Sequence, residues 1–393
     1  MPESRLRRLQ GPGGELARLM LVQLFLNACV TGTRMAAPLQ ALHLGHGEAA
    51  VGFLIALFAV AQVFLALPAG RYCERQGLKR PIAGSVVVAV AGCALAAAWP
   101  VFPLLCASAV LTGGAGGVAT IAVQRHIGRI ASEPAALRKA FSWLAIGLAL
   151  SNVLGPVAAG VMIDSAGFRV AFLAIATLPL MAWLSVRGAA ESASKPPEVA
   201  KLRGGAWELW RDPALRRLLF VTCVLSSCWD VHAFLVPVLG HERGFSASVI
   251  GSILGAFGIA AAAVRLLTPF VAAHLREWTI LFGAMAITAI LFGVYPLMHA
   301  PLAMGMCSAL LGFTLGSTQP MVMSLLHQLS PEHRYGEAVA MRVIVNNVSS
   351  VGIPMLSGLA GSLVGAAAVF WVAGLMAGAG ARLALGFKAA GVR

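Results

Sequence analysis

The chain has 393 residues, 59% of them hydrophobic and 11% charged, and its 29 Lys and Arg against 15 Asp and Glu leave a net charge of +14. Soluble domains carry ~25% charged residues, so this composition, with a mean hydropathy of +0.84, cannot solvate the outside of compact soluble domains and predicts an all-α polytopic membrane protein. At ~20 apolar residues per crossing, twelve crossings take ~240 residues and leave ~150 for loops and tails.

In a soluble protein the basic excess would point to nucleic acid. Here the charges cluster between apolar runs and no basic segment is interleaved with aromatics for base stacking, so they are read as orientation signal and contact with anionic lipid headgroups. The seven cysteines, Cys29, Cys73, Cys93, Cys106, Cys223, Cys228 and Cys307, show no CxxC and no His-Cys ligand spacing; they are expected to be reduced packing residues. No metal and no cofactor is expected. Arg5, Arg7 and Arg8 precede the apolar stretch from Leu19 much as in a signal peptide, but the run is long and eleven more follow, which makes it an uncleaved first span.

Polar and turn clusters cut the chain into spans near 17–41, 49–70, 82–99, 102–129, 140–163, 169–187, 217–239, 247–271, 279–298, 302–328, 337–361 and 367–386. The one long polar interruption, 188–216, divides six spans from six. It gives a bundle at 1–187, a cytoplasmic linker at 188–216 and a second bundle at 217–393. With the N-terminus inside, 23 of the 29 Lys and Arg fall on the inner side and two outside, Arg169 and Arg243; Arg34, Arg125, Arg265 and Arg342 lie within or at the ends of spans. That asymmetry predicts cytoplasmic termini in a bacterial-type inner membrane. A monomer is expected.

The halves repeat. A shift of 199 pairs Pro38 with Pro237, Gly52 with Gly251 and Phe58 with Phe257, and a shift of 198 pairs Pro156 with Pro354, Gly160 with Gly358, Gly167 with Gly365 and Phe172 with Phe370. Proline and glycine mark backbone geometry rather than hydrophobicity, so these pairs predict two related six-span bundles with a shared cavity near the midplane.

Between the second and third spans stands GRYCERQGLKR, Gly70 to Arg80. It resembles the signature loop of the major facilitator superfamily, Gly-x-x-x-Asp-Arg-x-Gly-Arg-Lys/Arg: Gly70, Arg75, Gly77 and Lys79 or Arg80 match, and Glu74 takes the Asp position. The resemblance implies a gating loop whose carboxylate and guanidinium pair with neighbouring spans when the cytoplasmic side is closed. The repeat's equivalent, Pro269 to Trp278, keeps His274, Arg276 and Glu277 but has Ala273 at the acidic position. In the fifth span, Gly147 to Gly160 is similar to the superfamily's antiporter motif. Gly155, Pro156 and Gly160 match, while Ser151 and Ala159 replace glycines. The likeness implies an efflux-type member. The superfamily's fourth-span Arg-x-x-Gln-Gly is not found at its usual place, where the chain reads LTGGAGG from Leu111 to Gly117.

Charges at the centre of a membrane helix cost at least ~2.5 kcal/mol, so the intramembrane polar residues mark candidate sites. Asp230 is the one acidic residue deep in an apolar segment, either a proton-coupling group or the static partner of an arginine; Cys223, Ser226 and Asp230 share a helical face. Trp229 and His232 flank it, His232 being read as a hydrogen-bonded lining residue rather than a ligand. The first span sets Gln23, Asn27, Thr31 and Arg34 on a polar stripe, with Arg34 holding a substrate anion, pairing with Asp230 or snorkelling outward. The eleventh sets Arg342, Asn346 and Ser349 likewise, Arg342 serving either substrate or a latch with Glu74. Arg265, and Gln124, Arg125 and His126, are weaker candidates, since inner-end arginines most often snorkel.

No Walker A, metal-ligand cluster or nucleophile motif appears, so the chain is not expected to be an enzyme. The leading expectation is a secondary carrier working by alternating access as a proton-coupled exporter of small organic molecules. A carrier of small organic anions using the membrane arginines is the alternative; an intramembrane enzyme or channel is a remote third.

Overall fold

The computed structural model describes residues 12–130, 134–187, 210–272, 276–330 and 334–389. Most of the linker (188–209), and Ala273 and His274 of the degraded loop, lie outside the described residues. Every regular element among those described is helical. Lipid offers no partner for backbone N–H and C=O groups, and only the helix satisfies them within one segment. The first four spans are Pro12–His43, Glu48–Gln76, Lys79–Ala98 and Phe102–Ile130; the seventh to twelfth are Pro213–Glu242, Ala247–Ala272, Glu277–Val294, Pro301–Leu329, Tyr335–Val364 and Ala366–Ala389, with a short 3-10 turn at Tyr295–Leu297.

Between these sets runs one helical stretch, Pro134–Val186, so that eleven helices among the described residues are long and apolar enough to cross a membrane. At 53 residues this stretch would be ~80 Å long, far beyond the ~30 Å hydrocarbon core. Gly167 breaks it with φ 81° and ψ 171°, a conformation essentially reserved for glycine. The segments 134–166 and 168–186 are therefore the fifth and sixth spans, which gives twelve crossings among the described residues.

The repeat is visible in the backbone. Among the described residues positive φ occurs at five glycines: Gly45 and Gly244 lie 199 apart, Gly167 and Gly365 lie 198 apart, and the fifth, Gly77, ends the second span. Helix crossings match too. A Cβ on Gly113 would stand 2.6 Å from the Phe58 carbonyl oxygen, and one on Gly312, 199 residues later, would collide with the Phe257 carbonyl.

The described residues sort into two compact units, one drawn from 1–45, 57–197 and 246–255, the other from 46–56, 198–245 and 256–393. In the first, Gly155 lets the fifth span meet the first. A Cβ there would lie 2.6 Å from the Ala28 carbonyl and collide with Thr31. Gly160 abuts the Ala247 carbonyl, and Asp164 accepts from the amides of Ala247 at 2.9 Å and Ser248 at 2.8 Å, satisfying the free donors that open the eighth span. Cys29 and Cys93 pack with their sulfurs 3.6 Å apart.

In the second unit, Asp212 caps the seventh span by accepting from Ala214 N at 2.8 Å, with Pro213 in the first turn. Arg243, just past that span, donates to the carbonyls of Met298 and of Pro296, the latter at 2.5 Å. Burial pulls its pKa below the ordinary arginine value, opposed by Tyr295 and Glu242. In both units large apolar side chains stand exposed, Phe64 and Leu67 in the first and Leu363 and Leu375 in the second, as suits helices that meet acyl chains rather than water.

Candidate functional site

The second unit holds a cavity of ≈ 260 Å³. The seventh span contributes Ser226, Trp229 and Asp230, the eighth Arg265, the tenth Thr318 and Gln319, and the eleventh Arg342, Asn346 and Ser350, with Leu225, Leu315 and Val322 as apolar wall. Of the residues singled out in the sequence, it brings together Ser226, Trp229, Asp230, Arg265, Arg342 and Asn346.

Its frame is a polar seam between two parallel helices. Ser226 donates to Asn346 Oδ1 at 2.7 Å, the Ser227 and Ser349 hydroxyls lie 3.0 Å apart, and Ser350 donates to Asp230 Oδ2 at 2.9 Å. The partners differ in number by 120, 122 and 120, so the seventh and eleventh spans run in constant register. Ser350 was missed in the sequence, where Ser349 completed the stripe. The signal was present as Arg342, Asn346 and Ser350 at i, i+4 and i+8. Thr318 and Gln319 of the tenth span, also missed, are adjacent polar residues that both line the cavity.

Behind the cavity stands a stack of rings. Arg265 lies over Trp229, 5.9 Å from the ring centroid. Trp229 meets Phe257 edge-on at 4.6 Å, and Phe257 stacks on His232 at 4.3 Å. His232 is 1% exposed; its Nε2 sits 3.0 Å from Ser308 Oγ, which lies 2.8 Å from Tyr295 Oη. It is therefore a hydrogen-bonded buttress behind the wall rather than part of the lining.

The first-span stripe belongs to the other unit, and two of its members face their own bundle. Gln23 donates to Thr120 on the fourth span at 3.1 Å, Thr31 to the Ser151 carbonyl on the fifth at 2.8 Å, and Asn27 to its own helix at the Gln23 carbonyl, 2.9 Å. Arg34 is half-buried on the same span. In the loop region, Glu74 pairs with Arg125 of the fourth span, so Arg125 is engaged rather than simply snorkelling. A Cβ on Gly70 would come within 3.4 Å of the Arg125 guanidinium. Gly77 turns the chain at φ 73°, Arg80 donates to Gln76, Lys79 opens the third span and Arg75 is exposed. His126 Nε2 lies 2.9 Å from Glu15 Oε1. No group of three or more metal-ligating side chains occurs among the described residues.

Twelve apolar crossings with a small, mixed-polarity cavity between helices define a polytopic membrane carrier. The sequence matches the model of the Major Facilitator Superfamily over residues 19–352, and the chain belongs to that family: it is a secondary transporter of small solutes, not an enzyme. No curated protein sequence matches it. Solved structures with the same fold include a POT family transporter in complex with a thioalcohol-conjugated peptide, at TM-score 0.76 and 13% identity over 96% of this chain and 97% of that one. The nucleoside transporter NupG aligns at TM-score 0.75 and 12% identity over 95% and 99%. A bacterial homolog of the human lysosomal transporter Spinster, inward-facing and occupied, aligns at 0.77 and 13% over 96% of each chain. At such identities the likeness speaks for the fold alone.

Proposed function

We propose that this transporter is a proton-coupled carrier of small organic anions, with the cavity of the second unit as its substrate surface and Asp230 as the group that takes up and releases the coupling proton. The supporting observation is that two guanidinium side chains and one carboxylate, Arg265, Arg342 and Asp230, line a single cavity. Its volume lies at the small end for ligand pockets, which favours a compact solute. Asp230 is 4% exposed, and its Oδ2 accepts from the Ser350 hydroxyl at 2.9 Å, so a carboxylate is held on the helix seam of the cavity that both arginines line.

The test is transport in proteoliposomes under an imposed pH gradient. Asp230→Asn should abolish gradient-driven accumulation while leaving substrate exchange at equilibrium. Unchanged proton-driven accumulation in that variant would remove Asp230 from the coupling step.

Export has separate support from the fifth-span motif, whose Gly155 and Gly160 both sit at helix crossings too close for a side chain. Inverted vesicles energised acid inside should then accumulate substrate; accumulation only in right-side-out vesicles would make the protein an importer. We further propose that the carrier works by alternating access in an inner membrane, with Glu74 as part of the gate.

A further inference from the structure

The cavity treats its charges unequally. Asp230 accepts a hydrogen bond from Ser350. Arg265 makes no ion pair among the described residues: its one hydrogen bond runs from Nη2 to Gln319 Oε1 at 3.3 Å, and its Nε is buried without an acceptor. A guanidinium carries five N–H donors, and a donor buried without an acceptor, as Nε is here, is costly. The protein nevertheless fixes this one in place. The Arg265 guanidinium carbon lies over the Trp229 ring, and Trp229 is itself packed against Phe257, which stacks on His232, whose Nε2 is 3.0 Å from Ser308 Oγ. A rigid, partly unsatisfied fork on a cavity wall is the arrangement that accepts a planar, two-oxygen anion side on.

Beside the polar side chains of Thr222, Ser226, Thr318, Asn346 and Ser350, part of the wall is apolar and bears on what the anion is attached to. Leu225, Leu315 and Val322 line the same cavity as Arg265 and Trp229. An inorganic oxyanion would have to shed water against these side chains and gain no hydrogen bond from them. A carboxylate on an apolar or aromatic body satisfies both surfaces. Two guanidiniums, Arg265 and Arg342, face one carboxylate, Asp230, in this cavity, an excess of one cationic group that a monoanion matches and a dianion exceeds.

Resting on the anion-carrier reading above, we infer that Arg265, backed by Trp229 and Gln319, is the anion-binding residue of this cavity, and that the substrate is a small organic monocarboxylate whose apolar body lies against Trp229, Leu315 and Val322.

The full-length protein, purified in detergent, tests this by direct binding with four probes: benzoate, hexanoate, inorganic phosphate and tetraphenylphosphonium. Both carboxylates should bind, and phosphate should bind far more weakly. Arg265→Gln should weaken benzoate on the order of tenfold or more, the loss of a charge-assisted hydrogen bond, and Arg265→Lys should recover part of that loss. Trp229→Leu should weaken benzoate several-fold more than hexanoate. Melting of each variant without probe establishes that it is folded, and Arg265→Lys keeps the test open if Arg265→Gln is not.

Carboxylate binding that is lost in Arg342→Gln but unchanged in Arg265→Gln would overturn the inference and leave the anion-carrier reading standing. Phosphate binding as tightly as benzoate, with equal sensitivity to Arg265→Gln, would overturn the organic monocarboxylate. Binding of tetraphenylphosphonium with neither carboxylate would overturn the anion-carrier reading and this inference with it.

Discussion

Glu74 earns its place in the loop through Arg125, fifty-one residues away on the fourth span. Both side chains are partly exposed, at 24% and 37%, so the pair is worth no more than about 1 kcal/mol. That suits a contact made and broken in every cycle. Glu74→Gln should therefore slow turnover by up to about fivefold with little change in equilibrium substrate affinity, measured by initial rates and direct binding on the same preparation. A large loss of affinity with turnover intact would assign Glu74 to substrate instead. The loop itself was legible because its glycines and charges stand at fixed spacing. Its partner was not, since Arg125 looks in sequence like any arginine at the end of a span. The same limit applies to Arg265, a lone cation in the run GIAAAAVRLL, whose importance rests on Trp229, thirty-six residues earlier in the chain and adjacent only in the fold.

Helices and their number follow from composition and periodicity, because the bilayer admits few alternatives. What periodicity leaves open is the surface opposite each stripe. Gln23 and Thr31 form a stripe as clear as that of Arg342 and Asn346, yet Gln23 and Thr31 bond to the fourth and fifth spans while Arg342 and Asn346 line the cavity. Backbone punctuation was more informative. Gly167 and Gly365, paired by offset alone, both take positive φ, 81° and 83°, and nothing lies within 4 Å of the Cβ that either lacks. Their requirement is conformational rather than steric. Gly167→Ala and Gly365→Ala should each destabilise by about 1–3 kcal/mol, read as a lowered unfolding midpoint in detergent. A neutral result at either position would show that the chain relaxes there without glycine.

At the scale of the whole molecule, the biased distribution of Lys and Arg predicts which way the bundle sits in the membrane. Cysteines introduced at positions 195–205, in a background with the native cysteines replaced, should react only from the cytoplasm, and those at 241–244 only from outside; the opposite pattern would invert the proposed topology. In the proposed topology Arg243 belongs to that outer segment, and its contacts with the Pro296 and Met298 carbonyls then give it two lives. In that topology the seventh and eighth spans are made before those acceptors, and their hairpin must bring the Arg243 charge to the outer side against the usual retention of positive charge. Once the ninth and tenth spans arrive, the same guanidinium becomes a clasp between two loops. A neutral residue at 243 would thus ease translocation of the hairpin while loosening the finished protein, so that yield of inserted chain and longevity of folded carrier would move in opposite directions.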